Sequence, residues 1–213
     1  PLIIDALLYL AVEGFQESPL YSNRSLRVLG RLAQAPCNER VLISLGVPSA
    51  LGDLFSIYST PISDPSHVLA PPTLGALLLA HLYASQTTLT RLALVECQVP
   101  QGLCSLQLTV DVQLGSDKEQ ELLLHTLALL CADPKTITPL IETTPSLVQA
   151  LCQVSQSDSA ASALCSLLIL PSALELFSVD HLLLLVESTH AQLRAAATWL
   201  LSTHEDLSLQ PSP

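Results

Sequence analysis

A proline followed at three-residue steps by two apolar side chains recurs along this chain. It occurs as Pro1-Ile4-Leu7, Pro48-Leu51-Leu54, Pro100-Leu103-Leu106 and Pro145-Val148-Leu151. A variant with Asp180 in the proline place continues to Leu183 and Val186. Successive steps lie 47, 52, 45 and 35 residues apart. Proline suits the first turn of a helix, where its missing N–H would have no partner anyway. Apolar residues three apart then share one helical face. A short helix of this kind cannot bury its apolar face alone. Stacking successive units can, so the pattern restricts the chain to an elongated array in which each unit contacts its neighbours.

The best-preserved unit runs from Ser25 to Ser56. Leu26, Leu29, Leu32 and Ala33 line one face of a helix, and Arg24, Arg27 and Arg31 line another. Asn23 precedes the run as an expected N-cap. Pro36 ends the helix, and Asn38 offers a second N-cap before Val41, Leu42 and Leu45. Gly46 is placed as a helix-ending glycine. Pro48 then opens a helix whose stripe is Leu51, Leu54 and Phe55. The stretch LRVLGRLA, followed by NERVLISLGVPSALGDLFS, resembles the armadillo repeat: a leucine-rich helix end, an Asn-x-x-hydrophobic step, then Gly-hydrophobic-Pro-x-x-Leu-x-x-Leu. The resemblance implies an all-α fold, a right-handed α-solenoid of about four to five armadillo-like repeats.

The long helix of each unit is expected at Ser25–Ala35, Thr73–Ala84, Glu119–Ala132, Ala160–Leu170 and Ala191–Ser202. Ser116-x-x-Glu119 and Thr189-x-x-Gln192 read as capping boxes ahead of the third and fifth copies. The segment 59–72, STPISDPSHVLAPP, is too rich in proline and serine for regular structure and is expected to be an exposed loop within the second unit. A shorter polar break at 155–159 separates two later units. The repeat pattern crosses both, so residues 1–208 form one domain and 209–213 a tail. The chain begins at Pro1 and holds no methionine, as expected of a piece of a larger protein.

Charged residues make up 13% of the chain, against about 25% in an ordinary soluble domain. With a mean hydropathy of +0.48, some apolar surface is expected to be covered by a partner or by the rest of the protein. The net charge of −11 argues against nucleic acid, whose phosphates require a basic face. The uncharged stretch 68–90 contains Pro71-Pro72 and His81. Its apolar part falls short of the roughly 20 residues of a membrane span. The six cysteines are scattered and none forms CxxC. Cys131 matches Ala33 in the repeat and Cys104 matches Gly52, so these thiols are expected in the core, reduced. The cytoplasm, with the nucleus as a second site, is the expected location.

No GxSxG, Walker loop, GxGxxG or HExxH is present. No nucleophile–base spacing stands out, and the acids are spread as a solvated surface would place them. No cofactor or metal site is expected. One constellation remains. The resemblance implies that extended peptides bind along a concave face lined by the long helices. Superposing those helices puts Arg27, Leu77, His125, Ser162 and Arg194 in one column and Arg31, His81, Leu129, Ser166 and Thr198 in the next. Five of the eight Lys and Arg residues are Arg24, Arg27, Arg31, Arg40 and Arg194. Candidate partner-binding residues are therefore Arg24, Arg27, Arg31, His81, His125 and Arg194. Their ligand would be an acidic or phosphorylated peptide segment, held by paired N–H donors. The plainer reading of the three α-helical arginines is the solvated face of one helix. The asparagine and tryptophan ladder of nuclear-import adaptors is missing, because Asn occurs only at Asn23 and Asn38 and the single Trp is Trp199. The expected function is a non-catalytic protein–protein interaction scaffold within a larger protein. The alternative is a C-terminal regulatory or targeting solenoid of a multidomain enzyme such as a fused-type signalling kinase.

Overall fold

A computed structural model describes residues 2–14, 18–59, 73–108 and 117–208. Among the described residues, fourteen α-helices follow one another: α1 (Leu2–Val12), α2 (Pro19–Ala33), α3 (Glu39–Ser44), α4 (Val47–Ser59), α5 (Thr73–Ser85), α6 (Thr88–Glu96), α7 (Val99–Leu108), α8 (Asp117–Cys131), α9 (Pro134–Thr143), α10 (Leu147–Cys152), α11 (Asp158–Leu168), α12 (Pro171–Leu174), α13 (Val179–Val186) and α14 (Ala191–Ser208). A single 3₁₀ turn, Pro36–Asn38, precedes α3. There is no strand among the described residues.

The helices stack in three rows. The long helices α2, α5, α8, α11 and α14 pack each on the next. So do α1, α4, α7, α10 and α13, and so do α3, α6 and α9. The fold is an all-α solenoid: a helix pair, α1–α2, followed by four three-helix units. One continuous core runs through the stack, from Ala11 and Leu26 at one end to Leu193 and Leu200 at the other. The fold therefore agrees with the expected architecture, and the long helices fall within a few residues of their expected places.

Local chemistry explains the repeats. Gly46 has φ +84°, a left-handed conformation that glycine adopts without a Cβ penalty, and it turns α3 into α4. The matching position between α6 and α7 is Gln98, at φ 57°, where a side chain is strained. The Thr87 side chain caps α6 by accepting from the Thr90 N–H in a capping box. Asp133 caps α9 by accepting from the Lys135 N–H. Two equivalent threonines then tie each short helix to the long one before it: Thr90 Oγ1 donates to the Tyr83 carbonyl at 2.6 Å and Thr136 Oγ1 to the Leu130 carbonyl at 2.7 Å. Arg91 bridges units, donating to the Ala84 carbonyl and pairing with Asp133 at 2.9 Å. α7 packs closely on α4 at Gly102, where a Cβ would come within 2.5 Å of the Phe55 Cβ.

Several capping expectations are corrected. Asn23 is not an N-cap: α2 starts at Pro19 with Ser18 before it, because proline is favoured in the first turn, and Asn23 lies inside the helix. Asn38 does precede α3, but its side chain turns back and donates to the Leu32 carbonyl at 2.9 Å. The Thr189 hydroxyl donates across to Gln156 in the preceding unit instead of closing a box on α14. An unforeseen box, Ser178 with His181, opens α13. The expected loop 59–72 lies outside the described residues, apart from Ser59, which closes α4. Ser116 and the tail 209–213 lie outside them as well. No single helix there is long and apolar enough to cross a membrane.

Candidate binding face on the long helices

Burial gives the register of the long helices. On α5 the buried positions are Ala76, Leu77, Leu79, Ala80, Tyr83 and Ala84. On α8 they recur as Leu123, Leu124, Thr126, Leu127, Leu130 and Cys131, and on α11 as Ala160, Ala161, Ala163, Leu164, Leu167 and Leu168. The outward positions follow from the same alignment. One exposed column is Arg27, Leu78, His125, Ser162 and Ala195. The next is Arg31, Leu82, Leu129, Ser166 and Trp199. Both run along the side of the stack that the other two rows leave uncovered.

This register moves four residues: His81 and Thr198 give way to Leu82 and Trp199 in the second column, and Leu77 and Arg194 leave the first. Leu77 is fully buried and leaves the column, its place taken by Leu78. Arg194 matches Leu77, Leu124 and Ala161, the side that in other units faces the next helix of the row. Its guanidinium donates to the Ser188 and Thr189 carbonyls at 2.7 and 2.8 Å. It therefore holds the turn before α14 and does not join the other candidates. The displacement is one residue, which superposition of loosely repeating sequences does not resolve.

Arg24, Arg27 and Arg31 are exposed along one side of α2. Like charges three and four residues apart on a helix repel. The ion pairs among the described residues are Arg91–Asp133 and His190–Asp158, so none of these three arginines is compensated there. Arg27 and Arg31 form one wall of a groove of about 460 Å³, with Leu78, His81, Leu82 and Ser85 on the α5 wall and Leu26 and Leu79 below. Arg24 lies one turn outside it. His81 is half-buried, with Nδ1 3.5 Å from Thr126 Oγ1 and its ring 5.0 Å from that of His125 on α8. Burial, and then the neighbouring His125, holds the His81 pKa below the ordinary imidazole range. The structure thus brings together Arg27, Arg31, His81 and His125 and leaves Arg194 at the far end.

A second groove of about 460 Å³ opens between α11 and α14, lined by Asp158, Ser162, Cys165, Ser166, Ile169 and His190 among others. Cysteine, histidine and aspartate meet in it, but they are not arranged as a nucleophile and base. His190 Nε2 faces the Gln156 carbonyl at 3.2 Å, and Nδ1 lies 3.7 Å from Asp158. Burial pushes the Cys165 thiol up, whereas a reactive cysteine needs its thiolate favoured. Buried Cys131 and Cys152 are likewise pushed up to about 12. No cluster of three or more metal-ligating side chains occurs among the described residues.

Sequence reasoning missed three exposed apolar residues on this side: Leu78, Ile169 and Trp199, at 51%, 80% and 65% exposure. Trp199 lies in the column of Arg31 and Leu129, and only the burial register reveals this.

No protein-family model matches the chain, and no curated protein matches it in sequence. Solved structures do match in fold. A designed armadillo repeat protein in complex with the peptide (KR)4 superposes with a TM-score of 0.62 at 16% identity, covering 92% of this chain and 79% of that one. An engineered protein from a structural genomics consortium gives 0.61 at 16% identity, covering 91% and 77%. The chain has an armadillo-like helical repeat fold.

Proposed function

We propose that this protein is a non-catalytic interaction scaffold that holds an acidic or phosphorylated segment of a partner protein along its long-helix face. Arg27 and Arg31 supply the N–H donors, and Leu78 and Leu82 the apolar floor beside them. The observation that carries this reading is the groove between α2 and α5: two exposed guanidiniums, without an ion pair among the described residues, on a chain of net charge −11. The designed relative was solved with a basic peptide. The long-helix face of this chain carries arginines where a basic ligand would require acids, which supports an acidic ligand. Six free cysteines, three of them buried, suit the cytoplasm or nucleus. The groove with Cys165 and His190 lacks an activated nucleophile, which supports a non-catalytic role.

The test is a titration of a fluorescein-labelled peptide of four glutamates, and of one carrying phosphoserine, into the protein at low salt. Each charge-assisted contact is worth about 1.5–3 kcal/mol, so Arg27→Glu with Arg31→Glu is expected to weaken binding at least tenfold at equal helicity. Binding should also weaken as salt rises. Equal affinity for wild type and variant would mean that the arginines are only a solvated face.

A further inference from the structure

The long-helix face changes character from one end to the other. At α2 it presents Arg27 and Arg31. At α14 the position matching Arg31 holds Trp199, and Ile169, just past the end of α11, lines the groove beside Ser162 and Ser166; both are largely exposed. A single extended occupant crossing the whole face would therefore meet cations first and an apolar surface last.

We infer that the partner segment is bipartite: acidic or phosphorylated at the end that lies on α2, and aliphatic or aromatic at the end that lies on α11 and α14, with Trp199 as the apolar anchor. This rests on the proposed groove between α2 and α5 and extends it along the same face. Charge complementarity fixes the first half of the segment. The second half follows from the exposed Trp199 in the column of Arg31, the exposed Ile169 in the adjoining groove, and the shortage of charge on α11. Exposed large apolar side chains in line with a charged subsite are energetically useful when one ligand covers both, because the second contact is made without a second loss of translational freedom. Aromatic side chains are also the residue type that most often dominates such contacts.

Geometry sets the length. Packed helices lie about 8–10 Å apart, so the four steps from α2 to α14 span roughly 32–40 Å. An extended chain covers about 3.3 Å per residue. The two ends of the segment should then be separated by about ten to twelve residues.

Trp199 is the only tryptophan in the chain, so its emission reports directly on the apolar end. The probes are synthetic peptides without tryptophan: four glutamates alone, four glutamates joined by a ten-residue Gly/Ser spacer to a Leu-Phe-Leu end in either order, and the same pair with a two-residue spacer. The expected result is that one order of the long peptide binds at least about tenfold more tightly than glutamates alone and shifts Trp199 emission to the blue. The short-spacer peptides should give neither effect, and Trp199→Ala or Ile169→Ser should reduce the long peptide to the affinity of glutamates alone. If glutamates alone bind through Arg27 and Arg31 while the long peptide gains nothing, or the short spacer gains equally, the bipartite inference is overturned and the groove reading stands. If glutamates alone do not bind, or bind regardless of Arg27 and Arg31, both readings fall together.

Discussion

The groove between α2 and α5 and the groove between α11 and α14 are built alike and equipped differently. Each lies between successive long helices, and each measures about 460 Å³. In the first, Arg27, Arg31 and His81 meet leucines. In the second, Ser162 and Ser166 meet Ile169, with Asp158 and His190 paired at the mouth. The cleft itself comes from the helix stack, whatever its surface residues. What the cleft can hold is set by two or three outward positions per helix, which contribute nothing to the core. The scaffold and the specificity are therefore separable, and that can be tested.

The largest expected effect falls on both grooves at once. Leu127 is fully buried on α8, the middle rung between them. Leu127→Ala should destabilise the protein by about 2–5 kcal/mol, seen as a lower midpoint in urea. Peptide binding at either end should be lost along with the fold rather than before it. Loss at one groove with an unchanged midpoint would show that the stack is not one cooperative body.

Transplanting charge sharpens the comparison. Ser162→Arg with Ser166→Arg puts arginines at the outward positions that Arg27 and Arg31 occupy on α2. If outward chemistry alone decides the ligand, calorimetry should show a second site for the four-glutamate peptide, within about tenfold of the first in affinity. A stoichiometry that stays at one would mean that the nearby Asp158 carboxylate, or the shape of the cleft, also matters.

The ties between units should contribute a moderate amount. Asp133 accepts from the Lys135 N–H, binds Arg91 and accepts from the Thr88 hydroxyl. Asp133→Ala is expected to cost about 1–3 kcal/mol, centred between the grooves. The Lys135 N–H, followed by the Thr88 and Arg91 contacts, holds the Asp133 pKa below the usual carboxylate range. Its contribution is thus complete above the unfolded value, about 3.9, and is lost as pH falls through the lowered folded value. The midpoint of wild type should drop in strong acid, and the Asp133→Ala midpoint should drop less.

His81 gives the smallest effect and the opposite cause. Its folded pKa lies below the ordinary value because of burial and His125. Folding therefore favours the neutral ring, and stability declines as pH falls below about 6.5. His81→Gln should flatten the pH dependence of the melting midpoint in that range. The α11–α14 end should not respond to this change, and a response there would show that the two grooves communicate.

Much of the scaffold was legible in the chain. The proline steps, Gly46 and the leucine spacing specify short helices that cannot bury themselves alone, and near-repeats of such helices have one compact solution. That is why the long helices were placed within a few residues. The grooves were legible only in part. Arg27, Arg31, His81 and His125 could be grouped because the helices repeat. The columns themselves slipped at Leu77, His81, Arg194 and Thr198, because one residue in a loose repeat turns a side chain by about 100° around the helix.

The sequence by itself therefore determined the kind of architecture and the sign of the charge on α2, since both depend on local spacing and composition. Only the tertiary structure decided which side of each long helix remains open. It showed that Arg194 bonds the carbonyls of its own turn, and that Trp199 joins the column of Arg31. Those outcomes depend on how neighbouring helices cover one another, and a side chain's exposure is a property of that packing rather than of its own position in the chain.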